Sequence, residues 1–374
     1  MLPRGPQELS RLLRQKKVIV CCGSGGVGKT TTSAALGLAG ARAGRRVLVL
    51  TVDPARRLAQ AMGVAEHGRV PIPVSAERLA QAGVTQGSLD AWMLNPDVVF
   101  EELVQRLATK PGQAERILES RLFRHLSELV AGMQEYTAAE ALYSFAQSGR
   151  YDLLVLDTPP ARNALNFLDA PGSLARFLDE RILGLFLPAV QKSSILRKAS
   201  ELVGNVLTRV LGADFYGEMQ QFLVAFGGMF APMRAHAEGV RTLLGSPEAA
   251  FLLVTSPDQA ALAEAAFFRE RILSMGLPFA GFVLNKSWAN AFCRPPEELT
   301  LPASAPPELV TGLTKLRALA QAERAKVERD ASLFAQLASS LPPGAFGVAA
   351  PYVGEVIEDL PGLATLAEGI TAPA

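Results

Sequence analysis

The chain has 374 residues, of which 49% are hydrophobic and 20% are charged. This composition argues against a disordered chain, and the length favours one large α/β domain with an additional helical part. Lys and Arg number 37 against 36 for Asp and Glu, which gives a formal net charge of +1. The chain therefore lacks the excess of basic residues that would indicate nucleic acid as a partner.

The first 17 residues mix polar and apolar side chains and lack the apolar core of a signal peptide. The longest lipid-compatible run, residues 182–190, contains a Gly and a Pro and is far shorter than the roughly 20 residues that span a bilayer. Three cysteines, Cys21, Cys22 and Cys293, are too few for a disulfide framework and favour a reducing compartment. We therefore expect a cytoplasmic protein without an integral membrane segment.

Short apolar runs alternate with helical patterns along the chain. Several runs are uniformly apolar, which is typical of strands covered by helices on both faces. Each is followed by a polar or Gly/Pro turn, the pattern of βα units, so the sequence predicts a mostly parallel, doubly wound α/β sheet with ligands at the carboxyl ends of its strands. The predicted strands are residues 18–22, 47–52, 91–94, 153–157, 251–255, 279–284 and 346–350.

Two long segments do not follow this alternation. Residues 96–148 have a helical pattern that begins with Asn95, a candidate N-cap, and Pro96 at the first helical position. Residues 173–245 have no strand pattern and are rich in Leu, Phe and Met at helical spacing. We expect one domain over residues 1–374, with these two segments inserted as a helical subdomain.

The most specific motif is Gly-Ser-Gly-Gly-Val-Gly-Lys-Thr at residues 23–30, which matches the phosphate-loop pattern G-x-x-x-x-G-K-[ST] between a predicted strand and a predicted helix. Glycines let the backbone wrap phosphates with its N–H groups, and the helix N-terminus favours anions. A glycine-rich turn with a chance Lys-Thr is the structural alternative. The motif predicts ATP phosphate contacts from Gly25, Gly26, Val27, Gly28, Lys29, Thr30 and Thr31.

Two side chains in this pattern have more specific predicted roles. Lys29 would reach the β- and γ-phosphates, and the Thr30 hydroxyl would bind Mg²⁺. Asp157 ends the apolar run 153–156, which is the Walker-B arrangement, and its carboxylate would hold Mg²⁺ beside Thr30. The alternative for Asp157 is a helix-capping role.

The combined motifs resemble those of the arsenite-pump and tail-anchored-protein-targeting ATPases, within the class of deviant-Walker dimeric ATPases. The resemblance covers most of the chain and implies a P-loop ATPase. It is carried by the phosphate loop, by Val-Asp-Pro-Ala at residues 52–55, by Leu-Asp-Thr-Pro-Pro at 156–160 and by Val-Leu-Asn at 283–285.

The resemblance also implies roles for single residues. Asp53 would be catalytic because it would orient the attacking water, and Lys29 would be the second catalytic residue. The alternative for Asp53 is a turn or N-cap role. Residues 158–163 would form a switch that senses the γ-phosphate. Asn285 would bind the adenine edge and Pro351 would lie in the other base-side loop; an ordinary strand-ending turn is the alternative for Asn285.

Members of this class act as dimers, so the resemblance implies a homodimer, or a heterodimer with a paralogous ATPase, that closes with ATP and opens with ADP. Closure would reshape a helical surface for a hydrophobic helical client or a membrane-protein partner. A stripe of Met and Phe residues at helical spacing within 219–233 fits such a client surface or, alternatively, core packing between helices.

One position of the phosphate loop departs from the family. The dimeric class carries a second lysine directly after the first glycine, and here that residue is Ser24. A serine cannot supply a positive charge to the partner's nucleotide, so the departure favours a partner that supplies the lysine; the alternative is that another cation, such as Arg56 or Arg162, replaces it. The alternative function is therefore a nucleotide-binding regulatory subunit with little ATPase activity.

The cysteines depart from the family as well. Tail-anchor-targeting members commonly carry a Cys-x-x-Cys that binds zinc at the dimer interface, whereas Cys293 here is followed by Arg-Pro-Pro. One thiol per subunit is too few for a tetrahedral zinc site, so we expect no zinc. An arsenite site needs a cluster of cysteines, and two of the three lie in a predicted strand, so arsenite is not expected as a ligand.

Overall fold

The structure is a computed structural model of the chain. It describes residues 5–52, 57–64, 69–108, 110–120, 133–158, 205–206, 208–209, 212–227, 229–291, 301–302, 305–354, 357 and 359–372. Several residues that carry predictions lie outside these ranges: Asp53, Arg56, Arg162, Cys293 and most of the 158–163 switch, of which Thr158 is described.

The described residues form an eight-stranded sheet with the strand order β3-β4-β2-β5-β1-β6-β7-β8. Its strands are β1 Val18–Cys22, β2 Arg46–Thr51, β3 Ile72–Pro73, β4 Ser88–Met93, β5 Leu153–Asp157, β6 Ala249–Thr255, β7 Phe279–Ser287 and β8 Phe346–Pro351. Strands β2, β5, β1, β6, β7 and β8 pair in parallel, and β3 is antiparallel to β4. The predicted mostly parallel α/β sheet is therefore confirmed.

All seven predicted strands correspond to strands of the structure, with differences at the ends. Strand β3 was not predicted, and β4 begins at Ser88, before the predicted start at residue 91. The added part of β4 contains Asp90, which is buried and accepts a 2.6 Å hydrogen bond from the Tyr151 hydroxyl. Strand β7 was predicted to end at Leu284 but continues to Ser287, past a register shift against β8. Asn285 therefore lies within β7.

Twelve helices are bounded within the described part of the chain. They are α1 Gly5–Gln15, α2 Lys29–Arg42, α3 Arg57–Met62, α4 Ala76–Gln81, α5 Pro96–Leu107, α6 Gln113–Leu118, α7 Met133–Ser148, α8 Ala213–Gly227, α9 Phe230–Gly245, α10 Gln259–Ser274, α11 Pro307–Ser339 and α12 Leu360–Ile370. None of these helices combines the length and apolar character needed to cross a bilayer.

The predicted start of the first helical segment is confirmed. The Asn95 side-chain oxygen accepts hydrogen bonds from the backbone N–H groups of Asp97 at 3.0 Å and Val98 at 3.4 Å. Pro96 occupies the first position of α5, where its missing N–H group costs no hydrogen bond.

Helix α2 follows the phosphate loop and packs closely on the sheet. A Cβ atom added at Gly37 would lie 2.3 Å from a methyl group of Val49, and one added at Gly40 would lie 2.7 Å from a methyl group of Leu153. Both glycines therefore let the backbone of α2 approach β2 and β5 more closely than a residue with a side chain would allow.

The chain divides into two compact units. The first comprises Met1–Trp92, Tyr151–Arg162 and Pro247–Ala374, and it contains nearly all of the sheet. The second comprises Met93–Arg150 and Asn163–Ser246, and its described elements are the helices α5 to α9.

Polar contacts connect the helices of the second unit. Glu140 of α7 is fully buried, and its carboxylate bonds to the Arg106 guanidinium of α5 at 2.8 Å and to the His236 ring of α9 at 3.1 Å. The Arg106 guanidinium also donates to the Ser144 hydroxyl at 2.7 Å. A buried carboxylate with these partners joins three helices.

The Met/Phe stripe of the second unit is partly described. Phe222, Met229 and Met233 are each 5% exposed or less, whereas Met219 is half-buried. The side chains at positions 223, 226 and 230 lie outside the described residues. The buried members favour the core-packing interpretation of this stripe over a preformed client groove.

Candidate functional site

The phosphate loop connects β1 to α2 in the first unit, as the motif predicts. Gly23, Gly26 and Gly28 have positive φ angles of 151°, 78° and 89°. A Cβ atom at Gly23 would lie 2.1 Å from the Val254 carbonyl oxygen, and one at Gly28 would lie 2.2 Å from the Asn285 amide nitrogen. The glycines at positions 23 and 28 are therefore required both by backbone conformation and by the space around them.

Lys29 begins α2 and its side chain folds back over the loop. Lys29 is 6% exposed, and its ammonium group donates a 2.9 Å hydrogen bond to the backbone carbonyl of Ser24. Ser24 itself is 8% exposed. The structure thus holds the Lys29 charge within the phosphate loop, where an anion would meet it.

Asp157 lies at the carboxyl end of β5 with no exposed surface. One carboxylate oxygen accepts a 2.5 Å hydrogen bond from the Thr30 hydroxyl of α2 and a 2.9 Å hydrogen bond from the Thr51 hydroxyl of β2. The predicted pair Thr30 and Asp157 is therefore brought together, and Thr51 is an additional partner that the sequence analysis did not identify.

These oxygen atoms fit the predicted magnesium ion. Mg²⁺ prefers carboxylate, hydroxyl and phosphate oxygens, and it commonly uses one or two protein ligands beside those of the nucleotide. A buried carboxylate and a hydroxyl 2.5 Å apart, at the start of the helix that follows the phosphate loop, supply that donor set.

Asn285 lies in β7, beside the same loop. It is 6% exposed, and its amide nitrogen donates a 2.9 Å hydrogen bond to the backbone carbonyl of Val27. One amide hydrogen is therefore used within the protein, which leaves the side-chain oxygen and the second hydrogen for a base.

The next residue along β7 also contacts the loop. The Lys286 ammonium group donates a 2.9 Å hydrogen bond to the backbone carbonyl of Gly26, and the Lys286 backbone has a φ angle of 55°. Sequence analysis missed this residue because a lysine near a strand end looks like an ordinary solvated side chain.

Pro351 is the last residue of β8 and is paired in register with Ser287. Its ring packs on α12, since a Cβ atom added at Gly369 would lie 2.5 Å from the ring. The structure places Pro351 at the carboxyl edge of the sheet, and a base contact by this residue stays a prediction.

The two cysteines of β1 are fully buried behind the loop. Burial raises the pKa of the Cys21 thiol to about 12, an effect that a hydrogen bond to Ser33 partly offsets. Burial likewise raises the pKa of the Cys22 thiol. Both thiols are therefore protonated at neutral pH and poorly suited to bind soft metals or metalloids.

Comparison with known families identifies the chain. A sequence model of the family described as "Anion-transporting ATPase" matches residues 16–295, well over half of the chain. The chain belongs to this family. The resemblance inferred from the motifs is confirmed, and the family is one of ATP-hydrolysing enzymes.

Individual relatives are similar over shorter spans. The chain is 29% identical to the ATPase GET3 of Malassezia globosa over 175 residues, covering 46% of this chain and 48% of that protein. It is 29% identical to the putative arsenical pump-driving ATPase 1 of Aquifex aeolicus over 170 residues, covering 41% and 38%. It is 33% identical to the uncharacterized protein SCO2128 of Streptomyces coelicolor over 163 residues, covering 43% and 39%.

The chain spans less than half of the length of each of these three relatives. The aligned part supports membership of the ATPase family and the nucleotide-binding class. The substrates and partners in the relatives' names belong to those proteins.

Proposed function

We propose that this chain binds Mg-ATP at the phosphate loop and hydrolyses it in the cytoplasm. The observation that carries the proposal is the bonded pair of Thr30 and Asp157, next to the buried Lys29 ammonium in the loop. Phosphoryl transfer depends mainly on positioning and electrostatic stabilisation, which a charged, preorganised loop supplies.

Each residue of the site has a proposed role. Backbone N–H groups from Gly25 to Thr31 and the Lys29 ammonium would bind the phosphates, and Thr30 and Asp157 would hold Mg²⁺. The bound ion would neutralise charge on the phosphate oxygens. Asp53 would orient the attacking water, while Asn285 and Pro351 would contact the base.

The proposal is tested by phosphate release and nucleotide titration. Lys29→Ala should remove most ATP affinity or turnover, because the loop then lacks the charge that compensates the β- and γ-phosphates. Asp53→Asn should keep Mg-ATP affinity near that of the wild type and slow hydrolysis. Lys315→Ala, on the exposed face of α11, is the matched control and should change neither quantity. Unchanged binding and hydrolysis in Lys29→Ala would refute the assignment.

We further propose that ATP closes a dimer, of two copies or with a paralogous ATPase, and that closure reshapes the helices of residues 96–148 and 173–245. A hydrophobic helical client or membrane-protein partner would use that surface. Since Phe222, Met229 and Met233 are buried, a client surface that included them would have to be exposed by the change. Scattering measurements with ATP and ADP should show nucleotide-dependent dimer content; equal content in both states would contradict the cycle.

A regulatory subunit with little turnover is the second candidate function, favoured by Ser24. Under this proposal the protein binds ATP normally but hydrolyses it slowly when alone. Ser24→Lys should then raise turnover by restoring a long cationic arm, although the wild-type side chain at this position is buried. Phosphate release from the wild type and from Ser24→Lys at equal concentration distinguishes the regulatory subunit from the ATPase. A wild-type rate like that of lysine-bearing relatives would exclude the regulatory function.

A further inference from the structure

The backbone of Lys286 is unusual within the part of the chain that the structure describes. Lys286, with φ of 55°, is the one non-glycine residue there with a positive φ angle. Left-handed backbone conformations are unfavourable for residues with a side chain, and they persist where the surrounding structure requires them. The same segment carries the register shift between β7 and β8 that follows Leu284.

This backbone conformation changes where two neighbouring side chains point. In a regular strand, consecutive side chains extend to opposite faces of the sheet. Here Asn285 and Lys286 both reach the phosphate loop, on the carbonyl oxygens of Val27 and Gly26 respectively, each at 2.9 Å. An irregularity that redirects a side chain in this way is a recurrent feature next to functional sites.

The two hydrogen bonds fix consecutive peptide groups of the loop. In a trans peptide the carbonyl oxygen of one residue and the N–H group of the next point in opposite directions. Holding the Gly26 and Val27 carbonyls therefore turns the N–H groups of Val27 and Gly28 away from β7. In the proposed function these N–H groups bind phosphate, so the bonds preorganise the loop for its anion.

Lys286 also brings a positive charge to the loop. Its side chain is exposed, and no ion pair links it to any carboxylate that the structure describes. The charge is thus available to an anion bound at the loop. Lys286 lies in the same chain as the loop, in which position 24 is a neutral serine.

We propose that Lys286 is a positioning residue of the nucleotide site, which holds the Gly26–Val27 peptide in its phosphate-binding orientation and adds a positive charge beside it. This inference rests on the proposed function, because it assumes that the loop binds ATP. It assigns to a residue of β7 a positive charge beside a loop whose residue 24 is neutral.

The test measures Mg-ATP and Mg-ADP affinity by calorimetry, and thermal unfolding without nucleotide. Lys286→Met keeps the length of the side chain without its charge and should weaken both affinities about tenfold. Lys286→Arg should restore them to within about threefold. Lys315→Met, an exposed lysine of α11, is the matched control and should bind like the wild type.

Lys286→Gly separates positioning from a merely structural role. Glycine adopts a positive φ without penalty, so this variant should unfold at the wild-type temperature or above it, yet bind ATP about tenfold more weakly. Wild-type affinity in Lys286→Met, or a parallel loss of heat resistance and affinity in Lys286→Gly, would overturn the inference. Failure of Lys286→Arg to restore affinity would overturn the role of the charge. If the wild type and Lys315→Met bind no ATP, the proposed function fails and this inference with it.

Discussion

Asp157 in the sheet unit and Glu140 in the helical unit are both completely buried carboxylates. Their hydrogen-bond donors differ in kind. Asp157 accepts from the hydroxyl groups of Thr30 and Thr51, whereas Glu140 is bonded to the Arg106 guanidinium and the His236 ring.

The difference in donors indicates a difference in role. The Arg106 guanidinium compensates the charge of Glu140 directly, and Glu140 with Arg106 and His236 holds three helices together. A hydroxyl oxygen keeps lone pairs that can bind a cation, so Thr30 and Asp157 together offer oxygen ligands to a metal ion. We therefore expect replacement of Asp157 to affect catalysis and replacement of Glu140 to affect stability.

The largest expected effect is on turnover in Asp157→Asn, which keeps the size of the side chain but removes its charge. Phosphate release should fall by at least about 100-fold, because electrostatic groups of this kind contribute that order to catalysis. Asp152→Asn is the matched control: Asp152 lies immediately before the same strand, partly exposed and bonded to Arg46. Turnover in Asp157→Asn close to that of Asp152→Asn would remove the metal site from the proposal.

Glu140→Ala should mainly lower stability. Removing one member of a buried ion pair costs about 3 to 5 kcal/mol, and we expect the lower end because the Arg106 side chain is 41% exposed and can be hydrated. Urea denaturation followed by circular dichroism gives the free energy of unfolding. Mg-ATP affinity should stay within about threefold of the wild type; a loss of affinity without a loss of stability would place Glu140 in the nucleotide site instead.

Two substitutions that each remove one hydroxyl group should have smaller effects, one in the sheet unit and one in the helical unit. Thr51→Val removes a buried donor to Asp157 and should lower turnover about tenfold, since an unmade hydrogen bond to a charged group costs roughly 1.5 kcal/mol. Ser144→Ala removes the exposed acceptor of Arg106 and should change stability by less than about 0.5 kcal/mol. Steady-state kinetics and urea denaturation of both variants measure turnover and the free energy of unfolding. A change in turnover as small in Thr51→Val as in Ser144→Ala would contradict this prediction.

The smallest expected effect is that of pH on the alkylation rate of Cys21 in the native protein. Because burial raises the pKa of this thiol to about 12 from an ordinary value of 9.0, its thiolate form is scarce at neutral pH and becomes common only far above it. In a Cys293→Ser background, raising the pH from 7 to 9 should leave labelling of Cys21 low in the native protein, whereas labelling in urea should accelerate. Peptide mass spectrometry measures both rates. Rapid native labelling at pH 7 would show that β1 opens to solvent.

The sheet could be predicted well because its signal is local. Runs such as 153–156 are apolar throughout, since helices cover both faces of the sheet. Strand β3 could not be predicted because Ile72–Pro73 is too short to form a pattern. The start of β4 was missed because Asp90 reads as a turn residue, and its buried bond to Tyr151 depends on a contact distant in sequence.

The candidate site shows the same limit. The phosphate loop and the pairing of Thr30 with Asp157 follow from motifs, because the carboxyl ends of parallel strands share one edge of the sheet. The contact between Lys286 and Gly26 joins residues 260 positions apart. It depends on a positive φ angle that nothing in the residue type indicates, so no sequence pattern could reveal it.

The close packing of α2 on the sheet has a consequence for protein engineering. Exchanging a mid-helix glycine for alanine is a common way to make a protein more heat-resistant, worth about 1 kcal/mol where the site is open. At Gly37 and Gly40 the added methyl group would collide with Val49 and Leu153. A choice of substitutions from helix propensity alone would therefore disturb the helix that begins at the phosphate loop. At Gly37 an alanine would need a smaller residue at Val49, and the added Cβ atom would also lie 3.2 Å from a methyl group of Leu89.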